Sequence, residues 1–351
     1  MTVSNKVLVI GPSWVGDMVM AQALYRLLRQ RNPALEIHVV APSWSLPVLA
    51  RMPEVARGIE LAVDHGEIAF GRRRKLALEL RAEGYSWAIV LPRSAKAALV
   101  PWLAGVPRRT GFRGEWRYGL INDMRRLDEG IHVQGLMQRD TALGRGEPVP
   151  RELPAALRPS LVADPANLAR LRAAHALPES QPLVALMPGA EYGPAKRWPA
   201  RHFGELAATC ARRGASVVVL GSAKERGLGE EIAATARDAR VWNLCGATSL
   251  ADVIDLLAAS EVAVSNDSGL LHVAAAAGAP VVAIYGSSSP EFTPPLTHKA
   301  AIVWQKLSCS PCFERECPLG HLRCLKELPA ARVLVAVDEL RAAASAGSRH
   351  A

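Results

Sequence analysis

Aromatic side chains are scarce in this sequence. Phe, Trp and Tyr make up 5% of it, and the stacking platforms that hold single-stranded nucleic acid are not evident. No apolar run is long enough to cross a bilayer as a helix, which points to a soluble protein. The first residues lack a basic segment followed by an apolar stretch and a small-residue cleavage site, and they run quickly into a strand-like pattern. The expectation is a cytoplasmic protein. No G-x-G-x-x-G follows a strand-like run and no G-x-x-x-x-G-K-S/T occurs, which weakens both a nicotinamide oxidoreductase and an ATPase reading.

What is present is length and positive charge. A chain of 351 residues, half of them hydrophobic, has room for two ordinary domains with sizeable cores. Lys and Arg exceed Asp and Glu by nine, which suits an anionic partner: nucleic acid, a membrane surface or a phosphorylated small molecule. The sign alone does not choose among them, and part of the excess is an arginine habit spread over a solvated surface.

Strand-like runs at Val7–Ile10, Ile37–Val40, Ile59–Val63 and Trp87–Leu91 alternate with helical patterns at Met18–Gln30, Leu46–Arg51, Arg72–Ala82 and Lys96–Leu103. A second series follows. Its strands are Leu183–Met187, Ser216–Leu220, Val241–Leu244, Glu261–Ser265 and Val281–Tyr285, with helices at Ala200–Arg212, Glu225–Arg237, Leu250–Ala258 and Leu270–Ala277 between them. Such alternation is the mark of βαβ units and predicts two doubly wound α/β halves. A proline-rich stretch without either period, Gly146–Pro165, reads as the linker. The expected domains are therefore 1–155 and 156–329, and the alanine-rich segment 330–351 is expected to be a helix packing back on the first.

In open α/β sheets ligands bind beyond the carboxyl ends of the strands, so the loops after strands carry the chemistry. Asp267, Ser268 and Gly269 open a helix after one strand; its unpaired amides suit a diphosphate, and an ordinary helix cap fits the residues equally well. Lys196 and Arg197, in "MPGAEYGPAKRWP", set cations beside the start of the next helix. Glu225, in "LGSAKERG", can bond a ribose diol or cap its own helix. Asp17, in "VLVIGPSWVGDMVMAQ", is unexpected in a loop of phosphate-cradling shape.

Five separated segments, "GPSWVGDMVMAQ", "GFRGEWRYGLIN", "PGAEYGPAKRWP", "SNDSGLLHVAAA" and "CSPCFERECPLGHLRC", resemble the heptosyltransferases of glycosyltransferase family nine. The resemblance runs over essentially the whole chain. It implies a GT-B architecture, two Rossmann-like domains facing a cleft, with the acceptor held mainly by the first and the sugar nucleotide mainly by the second. It implies an inverting transfer of L-glycero-D-manno-heptose from ADP-heptose to the first heptose of the lipopolysaccharide inner core, on heptosyl-Kdo2-lipid A. Asp17 falls on the family's general base, and Lys196 on the lysine that contacts donor phosphate. Glu225 falls on the ribose contact, Thr248 near the adenine, and Asp267, Ser268, Gly269 and His272 on the segment holding diphosphate and sugar. Ser13 and Trp14 fall on the acceptor side. Relatives that add the first heptose carry hydroxyl residues where this chain has Gly189 and Ala190, which removes side-chain phosphate contacts from that turn.

A base in Asp17's position explains a carboxylate that need not touch phosphate, because a single displacement requires a proton acceptor on the face opposite the leaving diphosphate. No cofactor is required for such chemistry. An acceptor bearing acidic sugars on a lipid implies peripheral contact with the cytoplasmic face of the inner membrane, and no nucleic acid. Other readings stay open from the residues alone: another sugar-nucleotide transferase of the same architecture, or a basic nucleic-acid-binding protein.

Two clusters remain. Arg72, Arg73, Arg74 and Lys75 stand at a helix start, the unfavourable end for cations, where a bound anionic acceptor offsets the cost; a solvated basic turn is the alternative. Arg108, Arg109, Arg113 and Arg117 form a looser candidate, of which Arg113 is the acceptor contact proposed. Cys309, Cys312, Cys317 and Cys324, with His321 between the last two, suggest a structural metal more than a disulfide in a cytoplasmic chain, or else reduced thiols or a redox-sensitive pair. Cys210 and Cys245 lie in expected core segments.

Overall fold

The computed structural model describes residues 5–63, 67–126 and 154–347. Residues 146–153 of the expected linker lie outside these. The chain divides into two compact units, Met1–Pro159 and Ser160–Ala351.

The first unit is a six-stranded, all-parallel sheet of β1 (Lys6–Ile10), β2 (Glu36–Ala41), β3 (Val55–Glu60), β4 (Trp87–Val90), β5 (Arg108–Phe112) and β6 (Asp123–Arg125). The order across it is β3-β2-β1-β4-β5-β6. Its crossovers carry α1 (Val15–Arg31), α2 (Leu46–Leu49), α3 (Phe70–Arg81) and α4 (Ala95–Leu103). The second unit repeats the path with β7 (Leu183–Met187), β8 (Ser216–Val219), β9 (Val241–Asn243), β10 (Ser260–Asn266), β11 (Val281–Tyr285) and β12 (Ala300–Trp304), ordered β12-β11-β10-β7-β8-β9. Its helices are α5 (Pro165–Ala174), α6 (Ala200–Arg212), α7 (Arg226–Ala236), α8 (Leu250–Ala258), α9 (Gly269–Ala276), α10 (Arg323–Lys326) and α11 (Ala330–Gly347).

Central strands of parallel sheets are covered on both faces, so they must be apolar throughout. Leu183–Met187 and Val281–Tyr285 are buried at every position for this reason, whereas the edge strand Val55–Glu60 is mostly exposed and carries Arg57, Gly58 and Glu60. The doubly wound order leaves one switch point in each sheet, between β1 and β4 and between β7 and β10, where successive crossovers leave to opposite sides.

Among the described residues β5, β6, β12, α5 and α10 lie outside the expected runs. β5 and β6 are short and charged; Arg108 pairs with Asp123 of the neighbouring strand at 3.0 Å and lies 4.8 Å from the Trp87 ring centroid. α5 starts inside the expected linker. Asp164 caps it by accepting from the amides of Ala166 and Asn167, Pro165 occupies its first turn, and Asn167 Nδ2 donates to Asp252 and Asp255 on α8 at 2.9 and 2.7 Å.

The terminal helix departs from expectation. Val333, Ala336 and Val337 are buried in the core of the second unit, Asp338 pairs with Arg213 at the end of α6, and Arg341 pairs with Glu261 of β10. Packing on the first domain is therefore corrected: the apolar stripe of α11 is taken up by β10, β11 and β12 of the second sheet.

Candidate active site

In the first unit β1 ends at Ile10 and the chain turns through Gly11, where a side chain would meet Met18 Cε at 2.6 Å. Trp14 caps α1 through its carbonyl, which accepts from Met18 N at 2.9 Å. Asp17 thus lies in the first helical turn, half-buried, where aligned peptide dipoles favour a carboxylate. Ser13 and Trp14 are exposed beside it, and Trp44 Nε1, from the loop after β2, donates to Ser13 O at 2.8 Å.

The basic helix start splits into two roles. Arg73 is buried, and its Nε donates to Ile68 O at 2.6 Å, tying down the turn in which Ala69 adopts a left-handed φ of 44°. Arg72 Nη1 donates to Ala62 O at 2.8 Å from an exposed position, while Arg74 and Lys75 are exposed. An acceptor-binding Arg73 is accordingly withdrawn, since its charge is spent on backbone carbonyls. The looser arginine group is structural in the same way. Arg117 is buried, donates to Phe112 O and Pro92 O, and is pulled down to about 10 by burial; Arg109 donates to Leu120 O and Val106 O. Of that group only Arg113 and the half-exposed Arg108 face solvent strongly.

In the second unit Lys196 follows β7 and Asp267 follows β10, the two strands that flank the switch point. They form an ion pair of 2.5 Å. Asp267 is 4% exposed, and its other oxygen accepts from Thr293 Oγ1 at 3.2 Å. The helix-cap alternative for Asp267 and Ser268 is not adopted: the aspartate is turned to Lys196, and Ser268 makes no cap bond with its side chain. No side-chain oxygen caps the first turn of α9, where Leu271 N donates to Ser268 O at 3.2 Å. His272, one turn along α9, is buried; its Nδ1 has no hydrogen-bond partner, and burial lowers its pKa so that the ring is neutral at pH 7.

The loop carrying Lys196 is held from several sides. Asn266, fully buried at the end of β10, accepts from Trp198 N at 3.0 Å and donates to Pro188 O at 2.7 Å. Arg197 donates twice to Ala190 O, so its charge stabilises the loop's own backbone. Lys196 Nζ lies 4.9 Å from the Tyr192 ring centroid. Glu225 takes the capping position: it closes a capping box with Ser222, accepting from Ser222 N at 2.7 Å, and its carboxylate fills the space beside Gly189 and Gly221 at the ends of β7 and β8. An added Cβ at Gly189 would fall 1.6 Å from Glu225 Oε1, so a side chain here would displace the Glu225 carboxylate. Thr248 Oγ1 donates to Leu244 O at 3.3 Å in the loop after β9.

Ser287 and Ser288, directly after β11, carry buried hydroxyls without partners, and the sequence pattern does not single them out. The signal available is the run "YGSSSP" following the last apolar strand. Tyr192 is likewise unmarked except by standing four residues before Lys196.

The cysteine expectation is corrected. Among the described residues no group of three or more His, Cys, Asp or Glu side chains is placed to hold a metal ion. Cys324 is buried in the second core, and the Cys317 sulfur accepts from Leu322 N at 3.4 Å, which holds its pKa below the ordinary thiol value. Cys309, Cys312, Cys317 and Cys324 line one cavity with Ala195, so the segment buttresses the Lys196 loop, and Ala195 N donates to Arg315 O at 3.0 Å. Burial pushes the thiols of Cys210 and Cys245 up to about 11 and about 12, as befits small core hydrophobes.

The sequence profile of glycosyltransferase family 9 (heptosyltransferase) matches residues 73–323. The chain belongs to glycosyltransferase family 9. It is 44% identical over 342 residues to lipopolysaccharide heptosyltransferase 2 of Escherichia coli (strain K12), covering 95% of this chain and 98% of that one. It is 47% identical over 305 residues to lipopolysaccharide heptosyltransferase 2 of Salmonella typhimurium (strain LT2), covering 85% and 87%. The solved structure of E. coli ADP-heptose lps heptosyltransferase II superposes with a TM-score of 0.83 at 41% identity, covering 97% of this chain and 99% of that chain. The family 9 chain is thus a glycosyltransferase whose two Rossmann-like sheets are those of the GT-B class.

Proposed function

We propose that this family 9 enzyme moves L-glycero-D-manno-heptose from ADP-heptose to the first heptose of the lipopolysaccharide inner core, with inversion at the anomeric carbon. The observation that carries the reading is the Lys196–Asp267 pair at the switch point beside the uncapped start of α9, a place built for a diphosphate. The relatives named for lipopolysaccharide heptosyltransferase 2 supply the sugar and the acceptor class.

In the proposed reaction the acceptor hydroxyl oxygen forms a bond to the anomeric carbon, Asp17 takes its proton, and the bond to the diphosphate oxygen breaks with its electron pair leaving on ADP. Lys196, with three donors on one ammonium, bridges Asp267 and the departing phosphate, and the α9 amides receive the rest of the developing charge. Glu225 receives the ribose hydroxyls, Thr248 lies by the adenine, and His272 and Ser268 meet the sugar. No cofactor takes part. Ser13, Trp14, Arg72, Arg74, Lys75 and Arg113 hold the anionic acceptor. No helix among the described residues is long and apolar enough to cross a membrane, and contact with the inner membrane is proposed to be peripheral, from the cytoplasm.

The deciding experiment is mass detection of the product from ADP-heptose and heptosyl-Kdo2-lipid A. Addition of one heptose supports the reading; an unchanged acceptor with an enzyme that binds ADP sinks the acceptor assignment. Two variants test the parts. Gly189→Ala displaces only the far end of the Glu225 side chain, so stability is retained while ADP affinity falls by about tenfold, the worth of one charge-assisted hydrogen bond; unchanged calorimetric ADP affinity removes Glu225 from the site. Neutralising Arg72, Arg74 and Lys75 together to Gln raises the acceptor KM at low salt and leaves ADP affinity unaltered, a difference that shrinks as salt screens it. An acceptor KM unchanged at low ionic strength makes these residues plain surface.

A further inference from the structure

The loop after β5, Gly114 to Gly119, spends its polar side chains on holding itself in place and presents its aromatic ones to solvent. Glu115 accepts from Ala95 N at 2.9 Å and so caps α4. Arg117 is buried beneath the loop, donating to Phe112 O and to Pro92 O, the latter at 2.6 Å. Gly114 passes so close to Arg93 that a Cβ would lie 2.5 Å from the Arg93 carbonyl oxygen. Between these anchors Trp116 takes a left-handed φ of 49° and is 90% exposed, and Tyr118 is 58% exposed, the two rings meeting edge to face with centroids 6.4 Å apart. A left-handed conformation is unfavourable for a bulky residue, and full exposure of an indole gains nothing in water. The strain is upheld by three anchors, which marks the display as a built feature.

Its surroundings say what it meets. Arg93 and Arg113 are exposed at the base of the loop, and among the described residues neither is ion-paired with a carboxylate. The nearby Glu115 is occupied by Ala95 N. Trp14 and Trp44, 39% and 41% exposed, stand on the loops after β1 and β2, at the same carboxyl edge of the same sheet. Amphipathic rings interspersed with unpaired arginines match an anionic bilayer surface, where the rings enter the headgroup layer and the guanidinium groups meet lipid phosphate.

We infer that the Trp116–Tyr118 loop is a membrane-docking tip, which seats the first unit on anionic phospholipid. The inference rests on the proposed lipid-anchored acceptor, and its test is separate from turnover. Trp116→Gly removes the ring and relieves the left-handed strain, so the variant folds at least as well as the wild type. Wild-type protein sediments with vesicles of phosphatidylglycerol and phosphatidylethanolamine and does so far less with phosphatidylcholine alone. Trp116→Gly combined with Tyr118→Ser lowers partition onto the anionic vesicles by about tenfold, and Arg93→Gln lowers it in a salt-dependent manner. With a deacylated, water-soluble acceptor, the same ring variants keep the wild-type kcat and KM. Vesicle binding unchanged in the double variant overturns the inference. A raised KM for the soluble acceptor also overturns it, by making the loop an acceptor contact. Failure of heptose transfer in the wild type, with vesicle binding intact, would instead count against the proposed reaction.

Discussion

Asp17→Ala lowers kcat by about a hundredfold to ten-thousandfold, the span for loss of a positioned base, and leaves calorimetric ADP affinity within about twofold. Asp17 sits in the first turn of α1 in the first unit, while the proposed ADP contacts come from loops of the second, so removing the carboxylate takes nothing from the diphosphate. Asp17→Asn is the sharper variant. It keeps the shape and the helix-start hydrogen-bonding capacity and removes the proton acceptor, so it must be as slow as the alanine variant. Single-turnover rates at saturating substrates isolate the chemical step from product release. Near-normal single-turnover chemistry in Asp17→Asn would return the residue to a helix-start carboxylate, stabilising α1 and nothing more.

Lys196→Ala has a different pattern. Turnover and ADP affinity both fall, because the ammonium meets phosphate in the ground state and meets more negative charge as ADP departs; the loss in kcat/KM is about a hundredfold to a thousandfold. Stability falls too, by about 1–3 kcal/mol, since Asp267 is left buried with its strongest partner gone. The pairing makes a decisive control available. Lys196→Ala with Asp267→Asn removes the stranded charge and recovers most of the stability, yet recovers neither ADP affinity nor turnover. If the double variant instead regains ADP affinity, Lys196 serves only to neutralise Asp267 and the diphosphate is held by α9 alone.

The Lys196–Asp267 contact also separates what was readable from what was not. Both residues stand out in sequence as members of loops after strands, and both fall on family segments. Their union depends on β7 and β10 being neighbours across the switch point, although 71 residues separate the pair in the chain. Separation in sequence also hides the role of Gly189, whose missing side chain makes room for Glu225 from the next βα loop. Ser287 and Ser288 carry no period and no charge, and only burial without a partner distinguishes them.

Arginine shows the opposite failure of sequence reading. Arg72 to Lys75 and Arg108 to Arg117 look like two basic patches because one-dimensional proximity suggests a shared field. In three dimensions Arg73, Arg109 and Arg117 turn inward to backbone carbonyls, and only the remainder stay exposed to solvent. The cysteines mislead similarly: close spacing suggests four ligands, and the four do line one cavity, yet among the described residues no three of the His, Cys, Asp or Glu side chains are placed to hold a metal ion.

The residues by themselves determined the doubly wound class, because continuous apolar strands alternating with amphipathic helices have one economical way to cover both faces of a parallel sheet. They determined the family as well, through short loop motifs whose glycines, prolines and charges are dictated by local backbone and helix-end chemistry. Tertiary structure alone decided which charges are spent and which are offered. Whether an arginine, an aspartate or a terminal helix faces solvent, a partner or a core depends on residues tens of positions away, and burial converts the same side chain from a binding group into a fastening.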